Sequence, residues 1–248
     1  MMRMIGGYPP LVNMEALVIT PVKDAIPAAI RAAHAVISSE VPIAYRIFND
    51  NSTEEGTKEL IKLAEEINVA LTHLKDLTDT PSPNYKTVLQ VAQKEALEKE
   101  VPLIIVESDV TVQKDTFNRL LGFAKDHPEL GLVGAITVDE NGEVNFPYLK
   151  FKGVRKEELE TDRSLSFCCT LLSLKFLRAY DFQELDRSKH WYDTHISRTS
   201  LRFGFKNFVL PPVQVRHEPH GSRPWKKLKY QNPLQYYWRK FLKGLDKI

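Results

Sequence analysis

Five short apolar runs, each stopping abruptly at polar residues, constrain this chain's fold more than any other feature. They are Ala16–Val22, Ile43–Phe48, Val69–Leu74, Leu103–Val106 and Gly131–Val138. Runs of this length bounded by turn signals read as buried strands. Helical patterns fill the intervals: a helix through Ile30 and Val36, one ending near Asn68, one over Tyr85–Lys99 and one over Lys114–Lys125. Asp24 is placed to cap the first, with Pro27 tolerated in its first turn. Ser52 followed by Glu55 has capping-box spacing for the second. Strands alternating with helices of these lengths predict an α/β fold, an open and mostly parallel Rossmann-like sheet flanked by helices.

The second half is patterned differently. Asp139-Glu140-Asn141-Gly142 is a turn signal that predicts a hairpin. Leu165–Leu174 reads as an apolar strand and Trp191–Phe203 as a helix. Phe208–Val215 is strand-like but holds Pro211-Pro212, which predicts an edge or irregular strand. A chain of 248 residues fits one large domain, or one domain with an appendage, better than two full domains. Its 43% hydrophobic content and net charge of +2 exclude disorder as the main state, and the same charge argues against a nucleic-acid partner bound through bulk field. No run approaches the ~20 apolar residues of a membrane span. Met1–Pro10 has no continuous apolar run of secretory type. Cys168 and Cys169 are adjacent, a poor geometry for a disulfide, and read as two reduced thiols in an apolar strand. The expectation is a cytoplasmic protein.

Ligands of open α/β sheets sit beyond the carboxyl ends of the strands. Three polar clusters fall there: Thr20-Pro21-Val22-Lys23-Asp24, Asn49-Asp50-Asn51-Ser52-Thr53 and Glu107-Ser108-Asp109. A turn and helix cap suffice to explain Ser52. The acids Glu107 and Asp109 directly follow an apolar core run, where an unpaired charge is costly. Two carboxylates one residue apart suit Mg²⁺ or Mn²⁺ with substrate phosphates. A fourth cluster, His190-Trp191-Tyr192-Asp193-Thr194-His195, with His217 and His220 beyond it, has the composition of an acid/base or metal site. His190 and His195 are five apart and so do not share a helix face, which weakens a zinc-hydrolase reading.

In order and spacing, these clusters resemble the family 2 glycosyltransferases of GT-A fold, over about Ala16 to His217. The strand ending in a Pro-containing turn is Ile19-Thr20-Pro21-Val22-Lys23-Asp24. The acidic segment before Ser-Thr is Asn49-Asp50-Asn51-Ser52-Thr53-Glu54. The Asp-x-Asp motif corresponds to Glu107-Ser108-Asp109, the late Glu-Asp motif to Tyr192-Asp193, and the His after the last strand to His217. Asn49, Glu107 and Tyr192 stand where the family usually has Asp, Asp and Glu.

The resemblance implies an inverting transfer from a nucleoside-diphosphate sugar, UDP-type, to a glycan or lipid-linked acceptor. Asp109, Glu107 and His217 would hold Mn²⁺ or Mg²⁺. Thr20, Pro21, Asn49, Asp50 and Ser108 would line the nucleotide pocket, with Tyr85 and Lys86 on the donor side. Asp193 would be the general base, and Trp191 and Tyr192 would meet the acceptor, although a core role for Trp191 is equally consistent with its sequence. Two other readings stay open. One is a sugar-nucleotide-binding or scaffold module without turnover. The other is a nucleotidyltransferase, disfavoured because Thr20–Ile30 has no glycine for a phosphate loop.

The sequence divides into an N-terminal segment (1–15), the GT-A-type domain (16–220) and a C-terminal helical extension (221–248). From Arg223 the extension carries eight basic residues against one acid, Asp246, interleaved with Trp225, Tyr230, Tyr236, Tyr237, Trp238 and Phe241. That pattern suits an anionic membrane surface, or a helix docked on the domain with its cations solvated.

Overall fold

Strand β1 (Ala16–Val22) is apolar on both faces because both are covered. Alternate residues of a strand point to opposite sides, and here they enter two separate cores. Ala16 and Val18 pack with Ile26, Ala29, Ala33 and Val36 of helix α1 (Ile26–Ile37) and with Leu60 and Leu63 of α2 (Glu54–Glu66). Leu17 and Ile19 pack with Val88, Leu89, Ala92 and Ala96 of α3 (Tyr85–Glu98). Each buried Val, Leu or Ile among them contributes about 1.5–3 kcal/mol.

This architecture comes from a computed structural model that describes residues 14–186, 191–218 and Trp238. His190, His220, the segment before residue 14 and the rest of the basic extension lie outside the described residues. The remaining strands are β2 (Ile43–Asn49), β3 (Ala70–His73), β4 (Leu103–Val106), β5 (Val110–Thr111), β6 (Leu130–Val138), β7 (Leu159–Glu160), β8 (Cys169–Leu172) and β9 (Lys206–His217). The remaining helices are α4 (Thr116–Asp126), α5 (Leu174–Ala179) and α6 (Tyr192–Arg202). Among the described residues the sheet runs β3-β2-β1-β4-β8-β6-β9-β5, with β7 added to β9. Helices α1, α2 and α4 pack on one face and α3, α5 and α6 on the other.

The first half follows the sequence reading. The register Val22↔Asn49 and Asn49↔His73 sets the carboxyl ends of β1, β2 and β3 side by side. The second half departs from it, because β8 inserts antiparallel between β4 and β6. Strands β5 and β7 also pair antiparallel with β9, so a mostly parallel sheet acquires antiparallel partners in its second half. Strand β9 is irregular, as expected, but not an edge. It lies between β6 on one side and β5 and β7 on the other. Its prolines sit in a bulge, where partners pass from Leu210 to Gln214 while β6 advances only from Ala135 to Ile136. A proline inside a bulge removes no ladder hydrogen bond.

Two helix starts also differ from expectation. Thr53, not Ser52, caps α2, its hydroxyl accepting the Gly56 N–H at 3.2 Å. Asp24 does not cap α1. It has a left-handed backbone and accepts the Thr53 N–H at 2.9 Å, while its own N–H donates to Ser52 Oγ at 3.1 Å. These bonds join the ends of β1 and β2. The turn after β6 forms as predicted, with Asp139 Oδ1 accepting from Asn141 and Glu143 and Gly142 at φ +78°. It closes only a single bridge, Val138↔Val144, rather than a full hairpin.

Candidate metal and nucleotide site

Beyond β4 the chain turns through Glu107-Ser108-Asp109. The Glu107 N–H donates to the Cys168 carbonyl at 3.0 Å, and the Glu107 carbonyl accepts from Val110 at 3.1 Å. The two-residue β5 then pairs with the end of β9, setting Val110 opposite His217. The Glu218 N–H closes the corner on the Asp109 carbonyl at 2.9 Å. This backbone clamp brings together side chains that are far apart in sequence.

His217 is buried and its Nε2 lies 3.5 Å from Asp109 Oδ2. Its other nitrogen, Nδ1, meets the Phe146 carbonyl at 2.7 Å. A carbonyl only accepts, so Nδ1 carries the proton, and in the neutral ring Nε2 presents a lone pair. Nε2 has no hydrogen-bond partner. A buried lone pair facing a carboxylate is unfavourable unless a cation lies between them. A histidine held through Nδ1 by a carbonyl has the orientation of a metal ligand. Glu107, half-buried, places Oε2 3.5 Å from Cys168 Sγ, and donor atoms of Glu107, Cys168 and His217 all lie within 4.8 Å of one another. The structure thus brings Glu107 and His217 to one corner, in a group that could hold a divalent cation, with Asp109 against His217. It adds Cys168, which the sequence presents as a reduced thiol in an apolar strand. The strand pattern revealed its burial but not its neighbour across the sheet.

The ends of β1 and β2 form a second, adjoining corner. Thr20 is buried and its hydroxyl accepts from Tyr45 at 2.9 Å; burial pushes the Tyr45 phenol well above its usual range. Pro21 is half-buried opposite Phe48 of β2. Asn49 Nδ2 donates to Thr57 Oγ1 at 3.0 Å and lies 3.1 Å from His73 Nδ1, and its Oδ1 accepts the Ser52 N–H at 3.0 Å. Burial lowers the His73 pKa, favouring the neutral ring that can accept from Asn49. Asp50 Oδ2 accepts from Ser82 Oγ at 2.7 Å and from the Asn84 N–H at 2.9 Å, and Oδ1 accepts from Asn84 Nδ2 at 2.8 Å. Asp50 therefore fixes the 82–84 loop. Ser82, Asn84 and His73 are site neighbours that no sequence pattern singled out. Ser108 is buried between the two acids.

The third corner is the start of α6. Trp191 is half-buried with φ +64°, and Asp193 follows in the first turn, its Oδ1 accepting the Thr194 N–H at 2.8 Å. Tyr192 is buried, its hydroxyl donating to the Asp186 carbonyl at 3.1 Å. Tyr85 stacks between Tyr192 and Phe167, with centroids 6.3 Å from each. Lys86 donates to the carbonyls of Gln183 and Leu185, which tethers α3 to the segment before α6. Burial raises the Tyr148 phenol well above its ordinary range, with the nearby Cys168 thiol and Asp193 carboxylate adding to the effect. One buried hydroxyl is thus within electrostatic reach of both the metal corner and α6. His195 belongs elsewhere: its Nε2 shares a 3.1 Å hydrogen bond with Tyr180 Oη, and burial lowers its pKa.

No family model matches the chain, and no curated protein matches it in sequence. Solved structures do. TarS 1–349 from S. aureus superposes with a TM-score of 0.61 at 17% identity, over 82% of this chain and 60% of that one. The mannosyltransferase PcManGT from Pyrobaculum calidifontis, in complex with GDP-Man and Mn²⁺, gives 0.63 at 15% identity, over 92% and 64%. GalNAc-T7 with UDP, GalNAc and Mn²⁺ gives 0.59 at 11% identity, over 84% and 44%. The chain therefore spans less than two thirds of each. With the mixed sheet and its flanking helices, the likeness identifies the fold of this chain as GT-A-like, that of glycosyltransferases.

Proposed function

We propose that the chain is a glycosyltransferase that moves a sugar from a nucleoside diphosphate to an acceptor hydroxyl with inversion at the anomeric carbon. The observation that carries this reading is His217, a buried imidazole whose free Nε2 faces Asp109 beside Glu107, at the carboxyl end of a GT-A-like sheet. Asp109, Glu107 and His217 would hold Mn²⁺ or Mg²⁺. Once bound, the cation supplies Lewis-acid neutralisation of the charge growing on the leaving diphosphate.

Thr20, Pro21, Asn49, Asp50 and Ser108 shape the nucleotide pocket. A UDP-sugar is the donor of this reading, supported by the UDP seen with TarS and GalNAc-T7, whereas PcManGT was seen with GDP-Man. Asp50 and Asn49 act mainly by fixing the loops around the base and ribose, because their polar atoms are engaged with Ser82, Asn84, Ser52 and Thr57. Asp193 takes the proton from the attacking hydroxyl as the glycosidic bond to the diphosphate breaks. One base and one displacement give inversion. Trp191 and Tyr192 border the acceptor, a glycan or a lipid-linked saccharide, and the basic aromatic extension meets the anionic surface that would carry a lipid-linked one.

Asp193→Asn tests the assignment. UDP with Mn²⁺ should raise the melting temperature of this variant as much as that of the wild type, while transfer falls about 10²- to 10⁴-fold. Transfer at the wild-type rate would remove Asp193 from the mechanism.

A further inference from the structure

We propose that Cys168 is a ligand in this metal centre, forming with Glu107 and His217 a site for thiophilic divalent cations, Zn²⁺ above all. The inference rests on the metal-centre reading and adds a donor to it. The three side chains come from three separate segments: the turn after β4, the residue before β8 and the end of β9. Their donor atoms nevertheless lie within 4.8 Å of one another. Tetrahedral coordination with bonds of ~2.0–2.3 Å places donor atoms about 3.3–3.8 Å apart. The 3.5 Å between Glu107 Oε2 and Cys168 Sγ already has that spacing, as does the 3.5 Å between His217 Nε2 and Asp109 Oδ2.

The chemistry of the set is specific. A centre built only for Mg²⁺ would offer oxygen donors, whereas an imidazole and a thiol beside a carboxylate favour a softer ion. Zn²⁺ stands above Mn²⁺ for such donors, and the thiolate widens the gap. On binding, the Sγ–H bond breaks, its proton leaves to solvent and an S–Zn bond forms, with no change of oxidation state. Asp109 lies against His217 but outside this group, so Glu107, Cys168 and His217 make up three of the four positions of a tetrahedral site. Cys169 is the internal control, since it lies within β8, in the apolar core and outside this group of donors.

The test is Co²⁺ titration of the metal-free full chain, followed by absorption spectroscopy and displacement with Zn²⁺. A near-ultraviolet thiolate-to-cobalt charge-transfer band is expected in the wild type and in Cys169→Ser, and not in Cys168→Ser or Cys168→Ala. Zn²⁺ affinity should fall about 100-fold or more in Cys168→Ser, while Mn²⁺ affinity changes less than about threefold. Co²⁺ binding to the wild type without that band would overturn the Cys168 assignment while leaving the metal centre intact. Failure of the wild type to bind Co²⁺, Zn²⁺ or Mn²⁺ would overturn both. Because the wild-type spectrum decides on its own, a misfolded variant does not obscure the result.

Discussion

Asp50 and His73 show how much of the nucleotide corner is held by hydrogen bonds inside the protein. Removing one acceptor from a buried network costs roughly 1–3 kcal/mol. Asp50→Asn should lose about that much stability in urea titrations and weaken UDP binding, because the 82–84 loop loses its anchor. His73 and His195 both have pKa values lowered by burial from 6.5. The unfolded chain therefore binds their protons first. Stability should be level above about pH 6.5 and fall as the pH drops toward the folded values. Urea midpoints at about pH 7.5 and 5.5 should show this decline, and His73→Asn with His195→Asn should flatten it. At this scale the sequence was informative about residue type but not about partners. Glu107 and Asp109 stood out because acids follow a core strand. Cys168 did not, because its neighbour lies across a strand pair with no local signature.

Helix caps and short strands set the frame on which those residues sit. Thr53→Ala removes the cap of α2 and should destabilise the chain by about 1 kcal/mol, measured by denaturant titration. Ser52→Ala should have a different effect, loosening the link to Asp24 instead of the helix. Neighbouring hydroxyls and the Ser52/Glu55 spacing made the wrong residue look like the cap. The apolar strands β1, β2, β4 and β6 were legible because each is buried on both faces. The two-residue β5 was not, since no periodicity exists in two residues. Yet β5 is what places Asp109 against His217.

Across the whole molecule, the half up to Asp109 follows local rules and the half after it depends on distant pairing. Alternation of strand and helix sufficed to locate β1 to β4. The antiparallel insertion of β8, and the central position of β9 despite its two prolines, depend on residues far apart in sequence. Ligand binding should be felt across this sheet. With Mn²⁺ and UDP each near 100 times its dissociation constant, linkage predicts about 2.7 kcal/mol or more, roughly 5–11 °C in melting temperature. A chelator should reverse the metal-dependent part, and Asp109→Asn should abolish it. Calorimetric scans with each ligand alone and both together would check this.

The pairing of β5 with β9 also fixes an order in time. At a synthesis rate of about 5–20 residues per second, the ribosome makes the acidic turn roughly 5–20 s before the imidazole that faces it. Through that interval the nascent chain carries Glu107, Asp109 and later Cys168 without His217, so metal capture waits for β9. A chain stalled before β9 would have most of its sheet and no finished centre.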